Sequence, residues 1–163
     1  MQIRPMKFTE AETVRDLWNE ACVKAVGYPL PDKSAHQVLL NLRDYPQNET
    51  YHCLVAEEDD QIVAFLTFGV RGHPIGPGLV GEIEELYAQS GYDQAKLAMV
   101  TEAVITMKRQ GARVVTTRVA VDEPDDLAFW HSLKWEQDTV NFNIYSNVPA
   151  DPESQAVWDS YQA

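Results

Sequence analysis

Residues Gly81–Ala88 read GEIEELYA, a strand-like pattern whose apolar members are interrupted by three glutamates. The strand is predicted to begin at Leu79, and a long amphipathic helix is predicted over Asp93–Gln110. Gly111 is suited to end that helix, and the β-branched segment Ala112–Val121 is typical of a buried interior strand. This central alternation of strand, helix and strand favours a mixed α/β sheet with helices on both faces.

The segments on either side extend the pattern to the order β-α-α-β-β-β-α-β-α-β-β. Upstream, the predicted elements are a strand, two helices and a hairpin of two strands, over Gln2–Phe8, Thr9–Ala25, Lys33–Arg43, Tyr51–Glu57 and Gln61–Val70. Thr9 and Glu12 are predicted to form a capping box at the first helix. Downstream, a helix ends near Leu133 and two strands follow over Trp135–Tyr145. We expect one domain over residues 1–146 and a C-terminal tail over residues 147–163.

The composition excludes several classes of protein. Of the 163 residues 45% are hydrophobic, enough for a buried core, and no apolar stretch is long enough for a membrane span. The net charge of −12 disfavours nucleic-acid binding. Cys22 and Cys53 are too few for a disulfide scaffold, and the four histidines lack metal-ligand spacing, so no metal is expected. A cytoplasmic protein is predicted.

The acidic residues are unevenly distributed. From Val119 to the C-terminus there are nine acidic residues and a single basic one, Lys134. Such a region would attract a cationic ligand, but an ordinary solvated surface explains it as well. The acidic cluster Asp122–Asp126 is equally suited to stabilise a helix N-terminus. In the tail, Trp158 and Tyr161 fit either a homodimer contact or packing of the tail onto its own domain.

The element order and four stretches of sequence resemble the GNAT family of N-acetyltransferases. The stretches are Ile83–Ala88, Lys108–Val115, Val121–Trp135 and, as in the second strand of spermidine/spermine acetyltransferases, Tyr51–Glu57. The likeness covers roughly Ile3 to Tyr145, and the element order carries more weight than any short motif. The resemblance implies a GNAT-like fold and transfer of an acetyl group from acetyl-CoA to a primary amine of a small, cationic acceptor.

The resemblance also implies where acetyl-CoA binds. The family's pyrophosphate-binding turn corresponds to Gln89–Lys96, in which Gly91 is the single glycine, Asp93 adds a negative charge and Lys96 a compensating positive one. The backbone amide after the kink in the fourth strand polarises the thioester in this family. The residues expected to bind the co-substrate are Leu86, Tyr87, Ala88, Gly91, Tyr92, Gln94, Ala95 and Lys96.

Two adjacent glutamates are the candidate catalytic residues. Glu84 aligns with the carboxylate that acts as the base in the polyamine branch of the family, and Glu85 is the next candidate. Because neighbouring residues of a regular strand point to opposite faces, the two carboxylates are predicted to lie on opposite sides of the sheet. A solvated or loop-capping role for them stays open.

Three aromatic residues, Trp18, Tyr28 and Trp130, are expected to line the acceptor site. Trp130 occupies the position at which the family usually supplies a phenol to protonate the departing thiolate. An indole does not give up a proton near neutrality, so either water or another phenol acts instead, or the chain is inactive. Two other functions therefore stay open: a catalytically inactive GNAT-like module that binds a ligand or partner, and a purely structural subunit.

Overall fold

The computed structural model describes residues 1–73, 76–119 and 123–137. The chain divides into two compact units, Met1–Leu127 and Ala128–Ala163. Within the first unit the elements are β1 (Gln2–Pro5), α1 (Ala11–Val26), α2 (Asp32–Asp44), β2 (Tyr51–Glu58), β3 (Gln61–Gly72), β4 (Leu79–Ala88), α3 (Gln94–Arg109) and β5 (Ala112–Thr117). The helix α4 (Pro124–Ser132) follows. Of the strands predicted over Trp135–Tyr145, residues 135–137 form no strand, and residues 138–145 and the tail lie outside the described residues.

The strands of the first unit form one five-stranded sheet in the order β1-β2-β3-β4-β5. The pairs β1–β2, β2–β3 and β3–β4 are antiparallel. β5 runs parallel to β4, because α3 carries the chain back along the sheet. The tight turn between β2 and β3 places Asp59 and Asp60 at positive φ. The mixed α/β sheet expected from the sequence is therefore confirmed.

Helices cover both faces of this sheet. On one face, Val14 and Leu17 of α1 and Leu42 of α2 pack with Val55 and Phe65 in a single buried cluster. On the other face, the buried side of α3 includes Met99, Ala103 and Met107. Gly81 makes this packing possible, since a Cβ at that position would lie 2.5 Å from the sulfur of Met107. We refer to the two sides as the α1 face and the α3 face.

The N-terminal cap differs from the prediction. β1 ends at Pro5, and a short 3₁₀ turn at Phe8–Glu10 precedes α1. The capping contact comes from Glu10, whose carboxylate accepts a hydrogen bond of 2.8 Å from the backbone N–H of Lys7. Arg4 holds that carboxylate in place with hydrogen bonds of 2.7 and 2.9 Å. The predicted Thr9–Glu12 capping box is wrong, because the capping pair is Lys7 and Glu10, two residues earlier in the chain.

Candidate active site

A β-bulge in β4 sets the geometry of the candidate site. Thr67 of β3 pairs with Glu85 and Phe68 pairs with Ile83, so that Glu84 is the extra residue between them. Glu85, opposite Thr67, lies on the α1 face. The bulge turns Glu84 toward the same face, where its carboxylate interacts with Tyr45. The prediction that the two glutamates point to opposite faces is therefore wrong, because it assumed a regular strand.

Glu84 lies between groups of both signs. Burial raises the pKa of its carboxyl group, and the negative charge of Glu82 raises it further. A hydrogen bond from the Tyr45 hydroxyl and the positive charge of Arg71 act in the opposite direction. Arg71 is itself engaged by Glu82, at 3.0 Å from Nε to the carboxylate.

The pKa of the Glu85 carboxyl group is strongly shifted. Burial, followed by the negative charges of Glu84 and Glu123, raises the pKa of its carboxyl group to about 7. The Glu85 side chain still reaches solvent, so water has access to it although protein atoms crowd around it. A solvent-accessible carboxyl group that exchanges its proton near neutral pH has the property required of a general base. Burial, followed by the negative charge of Glu85, raises the pKa of the Cys22 thiol of α1.

The second half of β4 has a free backbone edge on the β5 side, within the described residues. Pairing with β5 ends at Ile83 and Thr117, and the Thr117 hydroxyl donates to the Ile83 carbonyl at 3.1 Å. Beyond that point the segment Leu86–Ala88 pairs with β3 alone. Its backbone groups on the other side are available for hydrogen bonds to an extended ligand. Among these residues Leu86 and Tyr87 are partly buried and Ala88 is buried.

The loop between β4 and α3 contains the predicted pyrophosphate-binding residues. Gly91 adopts a φ of +91°, a backbone conformation that favours glycine. A Cβ at this position would meet open space. The backbone N–H of Tyr92 donates to Gln89 and that of Ala95 donates to Tyr92, so these two amides are occupied. The Ala95 side chain is buried, and that of Gln94, the first residue of α3, is exposed.

Lys96 is partly occupied by carboxylates of its own chain. Its ammonium nitrogen lies 3.5 Å from Asp93 and 3.7 Å from Asp126. Only 12% of the Lys96 side chain is exposed, whereas 75% of Asp93 is. The start of α3 thus combines a favourable helix N-terminus with two carboxylates that oppose an anion.

The predicted acceptor-site aromatic residues lie in three different environments. Trp18 stacks on Phe65 on the α1 face, with ring centroids 5.4 Å apart. Tyr28 follows α1 and is 62% exposed. Trp130 belongs to the second unit, where its ring packs 5.2 Å from Phe129 and 4.7 Å from Trp135. Of the three, Trp18 shares the α1 face with the two glutamates.

Three residues near the glutamates were not predicted from the sequence. Tyr45 begins a 3₁₀ turn (Tyr45–Gln47) after α2, and Cys22 and Thr67 approach the glutamates from α1 and β3. Thr67 is completely buried and its hydroxyl has no hydrogen-bond partner among the described residues. Nothing in the local sequence marks these residues, because their proximity depends on the register of β3 against β4.

Two cavities lie away from the glutamate pair. One of about 640 Å³ is lined by residues of β1, α1 and the β2–β3 turn, among them Arg4, Asp16 and Asp60. The other, of about 530 Å³, lies beside α3, with His52 and Phe68 in its wall. Glu84 and Glu85 line neither cavity, whereas Glu20 and Gln89 line the first and Tyr45 lines the second. The described helices include none that could cross a membrane, and the described residues include no metal-ligating cluster.

The sequence profile of the acetyltransferase (GNAT) family matches residues 11–135. This chain belongs to the GNAT family. Family membership supports acetyl transfer, with acetyl-CoA as the donor, as the general chemistry of this GNAT chain. The sequence resemblance inferred from Ile83–Ala88 and its flanking elements is thereby confirmed. No curated protein sequence matches the chain.

Solved GNAT structures share the fold at low sequence identity. A transcriptional regulator from Bacillus halodurans is 14% identical with a TM-score of 0.75, over 88% of this chain and 98% of that one. The aminoglycoside N-acetyltransferase AAC(6')-Iy, solved with CoA, is 16% identical with a TM-score of 0.73, over 89% and 94% of the two chains. The 6'-N-acetyltransferase AAC(6')-IG from Acinetobacter haemolyticus is 18% identical with a TM-score of 0.69, over 91% and 99%. At these identities the likeness concerns the fold.

Proposed function

We propose that this protein is an N-acetyltransferase that moves the acetyl group of acetyl-CoA to a primary amine of a small cationic acceptor. The observation that carries the proposal is the bulge at Glu84. It places two carboxyl groups on one face of β4, immediately before the free backbone edge of Leu86–Ala88. An amine that is to be acetylated needs a proton acceptor and an adjacent thioester, and this arrangement has room for both.

The free edge of β4 is suited to the pantetheine arm and thioester of acetyl-CoA. Backbone amides of Leu86–Ala88 would donate hydrogen bonds to the thioester carbonyl and stabilise the negative charge that develops there. At the other end, the open loop at Gly91 and the start of α3 are suited to the pyrophosphate, with Lys96 adding positive charge. Asp93 and Asp126 weaken this second contact, so the free edge is the better supported part of the site.

In this proposal the two glutamates have different roles toward the acceptor amine. Glu85 takes the proton from the acceptor's ammonium group, since its carboxyl group exchanges a proton near pH 7. Glu84, the neighbouring carboxyl group on the same face, would attract and orient the ammonium group. The deprotonated nitrogen then attacks the thioester carbon, the carbon–sulfur bond breaks, the nitrogen loses its second proton to solvent, and the departing thiolate takes up a proton from solvent. The sequence resemblance made Glu84 the base and Glu85 the next candidate; this proposal makes Glu85 the base.

The surroundings of the pair favour a cationic acceptor. Glu82 and Glu20 add negative charge on the α1 face, and Glu20 accepts hydrogen bonds from Tyr87 and Gln89 at 3.4 and 3.0 Å. Trp18 supplies an aromatic surface on the same face. Polyamines and aminated sugars combine several ammonium groups with an apolar or ring-shaped body and match these features. Aminoglycosides are included because two of the structural neighbours act on them.

Binding of the acetyl donor is tested by thermal unfolding with acetyl-CoA and with free CoA. A ligand at a hundred times its dissociation constant stabilises the protein by about 2.7 kcal/mol, which is readily measured. We expect both compounds to raise the melting temperature. If calorimetry also detects no binding of either compound, the acetyltransferase proposal fails and the inactive binding module replaces it. Family membership does not favour that module.

Catalysis is tested by CoA thiol release with spermidine, other polyamines and kanamycin. Glu85→Gln keeps the shape of the side chain and removes the proton acceptor, and we expect a loss of roughly 10²- to 10⁴-fold. Glu102→Gln, an exposed glutamate on α3, serves as the matched control and should retain full activity. An unchanged rate for Glu85→Gln across the pH range would remove Glu85 from the mechanism.

A further inference from the structure

A carboxylate of α1 holds two side chains at the end of β4. Glu20 accepts a hydrogen bond of 3.4 Å from the Tyr87 hydroxyl, and hydrogen bonds of 3.0 and 3.3 Å from the side-chain amide of Gln89. Tyr87 and Gln89 lie on either side of Ala88, the last residue of β4. Glu20 therefore connects α1 to this end of β4 through two side chains. We call these contacts the Glu20 tether.

Aromatic packing from the same helix supports the Glu20 tether. Trp18, two residues before Glu20, stacks on Phe65 with ring centroids 5.4 Å apart. Phe65 pairs with Tyr87 across β3 and β4, and the centroids of their rings are 6.3 Å apart. The Tyr87 side chain is thus positioned by its ring as well as by its hydroxyl.

The pairing of β4 with β3 decides which backbone groups of β4 face its free edge. The Gln89 N–H donates to the Val63 carbonyl at 2.9 Å, so the backbone of Gln89 bonds toward β3. Because alternate residues of an antiparallel pair bond to the same neighbour, the backbone of Tyr87 also bonds toward β3. Leu86 and Ala88 then direct their N–H groups to the opposite side, where the described pairing with β5 has already ended.

We propose that Glu20 is a positioning residue for the free edge of β4: by holding Tyr87 and Gln89 it fixes the backbone between them. The two tethered residues alternate with Leu86 and Ala88, whose N–H groups face the edge. Hydrogen-bond donors that are ordered before a ligand arrives need not be ordered on binding, which strengthens the complex. The role in binding acetyl-CoA rests on the proposed function, whereas the tether itself can be tested without any ligand.

The negative charge of Glu20 alone would have the opposite effect on binding, so the two roles can be separated. Acetyl-CoA is an anion, and a nearby carboxylate repels it. If only the charge mattered, Glu20→Ala and Glu20→Gln would both bind acetyl-CoA more tightly than wild type. Because the tether also acts, Glu20→Ala should bind about three- to tenfold more weakly, a modest loss since the hydrogen bonds are exposed. Glu20→Gln keeps an acceptor oxygen and should restore the affinity.

Calorimetry with acetyl-CoA and the full-length protein, in the absence of an amine, measures the direction of this change. Alanine is well suited to an exposed helical position, so Glu20→Ala should fold. Asp16→Ala is the matched control, because it removes a carboxylate from the same helix whose ion pair is with Arg15 at 2.6 Å. The control should bind no more weakly than wild type. Unchanged or tighter binding by Glu20→Ala, or an equal loss in Asp16→Ala, would overturn the proposal.

Amide hydrogen exchange distinguishes failure of this proposal from failure of the proposed function. The N–H groups of Tyr87 and Gln89, which bond toward β3, should exchange faster in Glu20→Ala than in wild type and at the wild-type rate in Asp16→Ala. Faster exchange with unchanged affinity would refute the role in binding acetyl-CoA. If wild-type protein binds neither acetyl-CoA nor CoA, the proposed function fails. Unchanged exchange in Glu20→Ala would independently refute the tether.

Discussion

Glu85 should limit the stability of the folded protein above neutral pH, and its removal should therefore stabilise the chain there. In the folded state burial and the charges of Glu84 and Glu123 raise its pKa from 4.5 to about 7. Below pH 4.5 both folded and unfolded chains carry the proton, and Glu85 has no effect on stability. As the pH rises toward 7 the unfolded chain loses the proton first, so the free energy of unfolding falls. Above pH 7 the penalty is constant.

The size of the loss in folding stability follows from the size of the Glu85 pKa shift. At 1.36 kcal/mol per pKa unit, the shift sets a ceiling of roughly 3 kcal/mol. Because the Glu85 side chain reaches solvent, screening reduces the expected value to about 1 kcal/mol. For a chain of 163 residues, 1 kcal/mol corresponds to about 2–4 °C in melting temperature. Glu85→Gln should melt higher than wild type by this amount at pH 8 and equally at pH 4.5, while losing activity.

Thermal unfolding of wild type, Glu85→Gln and the control Glu102→Gln at both pH values measures the effect. The control should follow wild type at each pH, since Glu102 is an exposed residue outside the glutamate pair. A Glu85→Gln protein that is no more stable than wild type at pH 8 would mean that Glu85 is already accommodated as a carboxylate. The reasoning that makes it the general base would then be refuted. If Glu85→Gln is more stable than wild type but keeps full activity, the raised pKa of Glu85 has no role in catalysis.

Three further substitutions test other parts of the molecule. Asp93→Gly removes a carboxylate that makes no cap hydrogen bond to α3, so acetyl-CoA should bind up to roughly fivefold more tightly by calorimetry; weaker binding would contradict this. Thr67→Val removes a buried hydroxyl that lacks a partner among the described residues, so urea unfolding should show a gain of about 1 kcal/mol, and a loss would indicate a hidden partner. Trp130→Tyr should preserve the fold and modestly raise the rate of CoA thiol release by supplying a phenol. Equal rates would make Trp130 a packing residue only.

The elements around β4 were predictable because local signals agree there. The structure has β4 at Leu79–Ala88, as predicted, and α3 within one residue of the predicted ends at each terminus. A helix needs an amphipathic pattern and an end signal, and Gly111, at a φ of +97°, supplies the second. The hairpin around Asp59 and Asp60 was also predictable, since two apolar runs flank a short acidic turn. These signals are all contained within a few neighbouring residues.

The site was less predictable, because its decisive feature is a relation between strands. The sequence Glu84-Glu85 is compatible with a regular strand whose side chains alternate between the two faces. The bulge is visible only in the pairing of β4 with β3, where Glu84 is an extra residue between the partners of Thr67 and Phe68. One inserted residue changes which face a side chain occupies. The same limit explains why Tyr45 was missed: it is 39 residues before Glu84 in the sequence, and the fold brings the two residues near each other. Such contacts need the register of β2, β3 and β4.

The bulge and the end of β4–β5 pairing lie next to each other, and this has a chemical consequence. The parallel pairing stops at Ile83, and Glu84 is the extra residue that follows. A bulge increases the local twist of its strand, and beyond this point β4 pairs with β3 alone. Backbone hydrogen-bonding groups are thus freed at Leu86–Ala88 at the same place where two carboxyl groups are gathered on one face. An acyl-transfer site needs donors for the developing oxyanion and a base for the amine within a few ångströms of each other. In the proposed acetyl transfer, the geometry for both would come from a single inserted residue in β4 and not from the glycine-poor loop before α3.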